Sequence, residues 1–186
     1  MDQKRLVSEI LNGSKSAQWE LYEHFAPSML GVCFRYTKSI ADAEDVLQDG
    51  FVKVFNNLES YRAVGDLGAW IRKIMVNTAL TFLKTNKKYR YDLAFEDVVL
   101  HPVSSDNPEI TLDTKELSQL IRQLPPGYQA IFNLHAIEGY THVEIAEMMG
   151  ISDSTSRSQY ARARALLIEW ITAFSSTVQQ ENYGRK

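Results

Sequence analysis

Apolar residues recur along most of the chain at i, i+3, i+4 and i+7 rather than in alternation, a period that predicts helices and no sheet. Trp19, Tyr22 and Phe25 or Ala26 share one face of a first helix predicted from Lys15 to Phe25, and Pro27 suits the first turn of a second, where its missing N–H costs nothing. A third helix is predicted from Ile40 to about Leu58, with Ala43, Val46, Leu47, Gly50 and Val54 inward. After the turn-like SYRAVGDLG a fourth runs from Ala69 to about Lys87. Periodicity fails from Tyr89 to about Thr111, where VVLHPVSSDNPEI mixes Pro with Ser, Asn and Asp in the manner of a linker. Beyond it, one helix is predicted over 112–124, stopped by Pro125 and Pro126, and another over 127–138, stopped by Gly139; two more follow. The expected fold is all-α: two small helical domains, 1–90 and 112–174, joined by a flexible linker at 91–111 and followed by a polar tail at 175–186.

The sharpest local signal lies in YTHVEIAEMMGISDSTSRSQYARARALL. Thr141 and Glu144 form a T-x-x-E capping box, which starts a short helix carrying Val143, Ile145, Ala146 and Met149. Gly150 supplies the left-handed residue that ends it, Ser152 or Asp153 caps the next helix, and Tyr160, Ala163, Leu167 and Trp170 form the apolar stripe of that helix. Two helices joined by so tight a turn make a helix-turn-helix, with small Ala146 allowing their close approach. Arg157, Ser158, Gln159 and Arg162 leave the stripe in the first turns of the second helix, the part that reaches base edges. Arg pairs with guanine O6 and N7, and Gln with adenine N6 and N7, so duplex reading is favoured over a hairpin whose arginines are only solvated. Ser156 departs from the pattern, because it occupies a stripe position that helix-turn-helix proteins usually give to Val or another aliphatic.

Charge is distributed unevenly. The formal charge of -3 argues weakly against nucleic acid, yet residues 61–91 hold seven bases and one acid between two acidic neighbours. On the fourth helix Trp70, Lys73, Asn77, Thr81, Lys84 and Lys88 share a face, opposite Ile71, Ile74, Met75, Thr78, Phe82 and Leu83. Cations that track phosphates, an aromatic that stacks and an amide that meets a base edge suit single-stranded nucleic acid. Taken alone, the stripe fits a solvated helix face equally well. On the third helix, the run DAEDVLQDGFVKVF puts Asp42, Asp45 and Asp49 on one face with Glu44 and Gln48 beside them. Acids this close repel, which points to a basic protein partner.

With these motifs in order along one chain, the sequence resembles the extracytoplasmic-function sigma factors of bacterial RNA polymerase. The resemblance rests on ELYEHFAPSML, DAEDVLQDGFVKVF and GAWIRKIMVNTALTFLK in the first domain. In the second it rests on LPPGYQAIFNLHAIEGYTHVEIAEMMGIS and SRSQYARARALL. It implies that Asp42, Glu44, Asp45, Gln48 and Asp49 dock on core RNA polymerase, at the coiled coil of its beta-prime subunit, with the beta flap as a second polymerase contact. It implies that the loop and helix with Tyr61, Arg62, Trp70, Lys73, Asn77, Thr81 and Lys84 bind the melted minus-ten element. Thr155, Arg157, Ser158, Gln159 and Arg162 would read the minus-thirty-five duplex. The implied role is an alternative sigma factor for transcription initiation, with promoter DNA as the second partner, an anti-sigma factor as a candidate third, and no cofactor.

The rival reading is a regulator that binds an operator duplex through the same helix-turn-helix. An enzyme has little support, since the chain has no G-x-x-x-x-G-K-[ST], no G-x-G-x-x-G after a strand and no H-E-x-x-H. Its histidines, His24, His101, His135 and His142, are scattered; His135 and His142 flank a turn at no metal-ligand spacing and read as surface or capping-region residues. Cys33, the single cysteine, reads as a small core residue and leaves no partner for a disulfide. No signal-peptide or membrane-spanning apolar run is visible, so a cytoplasmic protein is expected.

Overall fold

The computed structural model describes residues 2–61, 65–86 and 114–183, which fall in two compact units divided between Asn86 and Lys87. The linker expected at 91–111 lies outside the described residues, as do Arg62 and Lys88. Every regular element among the described residues is helical, and none of these helices is long and apolar enough to cross a membrane.

The first unit opens with a helix that the periodicity reading leaves out, α1 (Gln3–Leu11). The Asp2 carboxylate caps it by accepting from the Lys4 and Arg5 amides at 3.1 and 3.2 Å, and its Leu6, Val7 and Ile10 face is buried. Then come α2 (Lys15–Phe34), α3 (Ile40–Asn56), a single 3-10 turn (Leu58–Ser60) and α4 (Leu67–Thr85). The two helices expected to meet at Pro27 are one, with Pro27 inside α2. An interior proline costs about 3 kcal/mol or more. Here Pro27 is exposed, so water can reach the carbonyl it leaves unpaired, while burial of Phe25, Ala26 and Met29 on either side favours keeping the helix continuous. The core of this unit is built from α2, α3 and α4, with Leu21, Val46, Ile71 and Met75 fully enclosed. Lys53 Nζ donates to the buried Thr78 hydroxyl at 3.1 Å, tying α3 to α4.

The second unit consists of α5 (Thr114–Gln123), α6 (Pro126–Phe132), a wide π turn (Asn133–Ile137), α7 (His142–Met149) and α8 (Asp153–Tyr183). Ile121, Leu124, Tyr128, Ala163, Leu166 and Leu167 form its core. Pro126 opens α6 at a position needing no N–H, and Gly139, at φ +80, follows the π turn. Thr141 and Glu144 make the reciprocal capping box at the start of α7, and Gly150 ends that helix at φ +73, its amide donating to the Ala146 carbonyl at 2.8 Å. The backbone of α8 stays helical to Tyr183, into the stretch expected to be a polar tail.

One expectation about α8 is corrected. Its buried line is Ser156, Gln159, Ala163, Leu166 and Leu167, while Tyr160 and Trp170 are half-buried. Gln159 is 2% exposed and faces inward, not toward solvent. Ala163 and Leu167 belong to both lines; the step of four from Gln159 to Ala163 replaces the expected step of three from Tyr160, and either step fits the helical period.

Candidate nucleic-acid and protein-docking faces

On α3 the inward positions Ala43, Val46, Leu47 and Gly50 are buried and orient the helix, leaving Glu44, Asp45, Gln48 and Asp49 exposed on the outer side. Asp42, in the first turn, is half-buried, and its amide donates to the Ser39 cap at 3.1 Å. Among the described residues no cation pairs with Glu44, Asp45 or Asp49, so this cluster keeps its full negative potential toward solvent. Beside it runs an open groove of about 720 Å³ between α2 and α3, lined by Trp19, Tyr22, Pro27, Leu30, Leu47 and Gln48. Trp19, expected to share a helix face with Tyr22 and Phe25 or Ala26, is 60% exposed and stacks on Tyr22, with centroids 5.8 Å apart. Acids at the edge of an apolar groove are complementary to a basic amphipathic helix.

On α4 the exposed row follows the spacing, whereas Ile74 and Phe82, expected inward, are half-buried, and Val76 and Leu80 are buried as well. Ile71, Met75, Thr78 and Leu83 are buried; Lys73, Asn77, Thr81 and Lys84 are exposed in a row, and Trp70 is half-buried at the head of it. The Thr81 hydroxyl donates to the Asn77 carbonyl at 2.9 Å, leaving its oxygen free to accept. Tyr61 has a different part. It is buried, its ring lies 5.5 Å from that of Trp70, and its hydroxyl donates to the Gly65 carbonyl at 2.8 Å, so it braces the loop rather than offering its own face. The other end of the loop is held by α1. Gln3 Nε2 donates to Asp66 at 3.0 Å, and the Leu67 amide donates back to Gln3 Oε1 at 3.2 Å. Asp66 in turn caps α4 by accepting from the Ala69 amide at 2.8 Å. The Gln3 bond first, then the Ala69 bond, holds the Asp66 carboxyl below the usual carboxylate range. Nothing in sequence spacing announces this clamp, since its partners lie more than sixty residues apart.

At the start of α8, Ser152 Oγ accepts from the Thr155 amide at 3.0 Å and lies 2.7 Å from the Thr155 hydroxyl. Arg157 and Ser158 are exposed, Thr155 and Arg162 half-exposed, and Gln159 is turned away from them into the core. Arg157 Nε donates to Asp153 Oδ2 at 3.0 Å, an exposed pair that steadies the guanidinium at little energetic cost to its release. The stripe position held by Ser156 is explained by a partner: its hydroxyl lies 2.9 Å from His142 Nδ1, so a buried polar group is satisfied across the helix-turn-helix. His135 and His142, which sequence alone places apart on either side of a turn, are stacked.

The pattern described as Sigma-70 region 2 matches residues 21–89, and the one described as Sigma-70, region 4 matches residues 114–167. The ECF RNA polymerase sigma-E factor of Haemophilus influenzae is 30% identical over 173 residues, covering 87% of this chain and 91% of that protein. The chain is an ECF sigma factor. Among its relatives, RNA polymerase sigma factor YlaC of Bacillus subtilis is 29% identical, over 78% of this chain and 86% of that one. ECF RNA polymerase sigma factor SigE of Mycolicibacterium smegmatis is 29% identical over 87% of this chain, which spans 64% of the length of that relative. A solved structure of the sigma factor RpoE in complex with the anti-sigma factor NepR, from Bartonella quintana, matches with a TM-score of 0.52 and 21% identity, over 82% of this chain and 95% of that one, a likeness of fold. Sigma factors bind core RNA polymerase and promoter DNA, and an ECF sigma factor serves transcription initiation.

Proposed function

We propose that this sigma factor divides promoter recognition between its units. The face of α4 with Lys73, Asn77, Thr81 and Lys84, headed by Trp70, binds the melted minus-ten strand; Arg62, outside the described residues, joins it from the preceding loop. The start of α8, with Thr155, Arg157, Ser158 and Arg162, reads the minus-thirty-five duplex. Tyr61 serves as a brace of the minus-ten loop, and Gln159 has no part in base reading. Domain limits of 1–90 and 112–174 accommodate both readers. The observation that carries the proposal is that two helices with solvent-facing cations and amide or hydroxyl groups sit on separate compact units. One reader suits unstacked bases and the other suits a groove, as a protein must that grips duplex while melting DNA nearby.

Glu44, Asp45, Gln48 and Asp49 dock on the polymerase, with Asp42 supporting the start of α3, and the Trp19 groove takes the apolar side of the same partner helix. The anti-sigma complex known for the Bartonella relative makes a protein of that class a further candidate partner here. The activity is recognition and positioning in the cytoplasm; the chemistry of RNA synthesis belongs to the polymerase.

Asp45→Arg tests the docking. A cation where the acidic face meets a basic surface removes about 2 to 5 kcal/mol of association, and a pull-down of core enzyme by the folded variant is expected to fail. Undiminished capture, or tight palindromic DNA binding by the chain without polymerase, overturns the reading in favour of an operator-binding regulator.

A further inference from the structure

The fold brings together two histidines that the sequence leaves apart. The rings of His135 and His142 stack with centroids 4.2 Å apart and planes 21° from parallel, and Tyr160 closes the cluster from α8, its ring 4.6 Å from His135 and 5.7 Å from His142. His135 Nδ1 lies 2.8 Å from the Tyr140 carbonyl oxygen, which can only accept, so that nitrogen carries a proton. His142 Nδ1 lies 2.9 Å from the hydroxyl of the fully buried Ser156. His142 is the first residue of α7 and Ser156 lies in the first turn of α8, so this bond joins the starts of the two helix-turn-helix elements.

We propose that His142 is a positioning residue for duplex reading: through Ser156 and the stack on His135 it sets α8, with Arg157, Ser158 and Arg162, against α7, and it does so only while neutral. The inference rests on the assignment of duplex reading to α8. In the neutral ring Nδ1 can accept the Ser156 hydroxyl. A protonated ring can only donate there, so the buried Ser156 hydroxyl has to turn and accept instead, and the charge of the ring stands against several unfavourable neighbours.

The titratable and charged groups facing His142 are His135 from the π turn and Asp153, Arg157 and Tyr160 from α8. On its own helix the Glu144 carboxylate is engaged by Thr141, whose amide and hydroxyl donate at 2.8 and 2.7 Å. Arg157 opposes a charge on His142, Asp153 favours it but is already paired with Arg157, and the positive end of the α7 dipole opposes it as well. A second imidazolium at the stacking distance would add like-charge repulsion. Burial first, then His135 and Arg157, hold His142 below the ordinary imidazole range. Because the folded value is depressed, the neutral-form stabilisation is complete above the unfolded value of ~6.5 and is lost as pH falls through the folded value.

The test follows the imidazole and α8 amide resonances of the full chain from about pH 7.5 to about pH 5.5, the range in which histidines switch. Over the same range, holoenzyme binding is compared between a promoter with an intact upstream element and one in which it is scrambled. The wild type is expected to show α8 amide shifts that track His142 titration and a severalfold fall in the preference for the intact element. His142→Gln, which can still bond Ser156 but cannot titrate, should hold a flat preference. His135→Phe keeps a stacked ring that cannot become a second cation and should move the fall to higher pH, since His135 is one of the groups that hold His142 down. Wild-type α8 amide shifts that do not track His142, or an equal slope of preference in His142→Gln, overturn the proposal. If α8 is not the duplex reader, the preference is absent at every pH in all three proteins, while the amide shifts still decide the positioning role. If the variants lose helical circular dichroism, the wild-type amide titration decides alone, and its failure to track His142 rejects the inference.

Discussion

Gly50 on α3 leaves no room for a β-carbon, because one built there would overlap Sδ of Met75 on α4. Met75 is fully enclosed, so its thioether cannot swing into solvent to make way. This contact sets how closely α3, with its acidic face, and α4, with its row of lysines, approach. Gly50→Ala should destabilise the first unit by about 1 to 3 kcal/mol through overpacking, partly offset by the better helix propensity of alanine. In a Met75→Ala background the same change should instead stabilise by up to about 1 kcal/mol, since the obstacle is gone and only propensity remains. Denaturant unfolding of the double-mutant cycle reads this reversal; a cost of equal size in both backgrounds rejects the contact as its source.

Substitutions in the two proposed readers should produce separable losses. Arg162→Ala is expected to weaken binding to the upstream duplex by about 1 to 3 kcal/mol if it meets a base, or to reduce the salt dependence by about one ion if it meets phosphate. Asn77→Ala should leave upstream binding intact and alter base preference within the melted element. Holoenzyme binding to promoters substituted one base at a time distinguishes them, and identical changes in preference would dissolve the division of labour.

Gln159 offers a direct contrast between the buried and the base-reading assignments. Its Oε1 is enclosed with no hydrogen-bond partner among the described residues, an arrangement that typically costs about 1 to 3 kcal/mol. Gln159→Leu, of similar size and without the stranded carbonyl, should raise thermal stability by about 1 kcal/mol and leave minus-thirty-five preference unchanged. A variant that folds normally but changes specificity at one base pair would restore Gln159 to the reading face.

Cys33 is fully buried in α2, and that burial pushes its thiol up to about 12. Thiolate, the reactive form, is therefore scarce at neutral pH in the folded protein, and access is closed as well. Alkylation should be negligible in the native state and should appear with global unfolding, giving a label that reports stability of the first unit. Rapid modification under native conditions, with helical content retained, contradicts this packing.

Much of the helix-turn-helix could be read locally. The capping box of Thr141 and Glu144 and the left-handed Gly150 are decided by backbone groups within one or two turns, so residue type and spacing suffice. The same holds for the acidic face of α3 and the row from Lys73 to Lys84 on α4, where the 3.6-residue period assigns each side once the opposite side is apolar. Short α1 was legible in principle, since Leu6, Val7 and Ile10 follow the helical period behind the Asp2 cap, but its stability comes from burying those residues against its neighbours.

What the sequence by itself determined was therefore the helical class, the helix-turn-helix, the polarity of the exposed faces and the family resemblance. The tertiary structure alone decided that α2 passes through Pro27, that Trp19 faces outward, that Gln159 rather than Tyr160 lies on the buried line, that Gln3 clamps Asp66, and that His135 stacks on His142. The physical reason is common to all five. Local rules assign a helix and its caps, but the rotation of that helix about its axis and the partners of its side chains depend on surfaces contributed by distant segments. Burial of those surfaces outweighs a proline or a stranded amide whose cost is only a few kcal/mol.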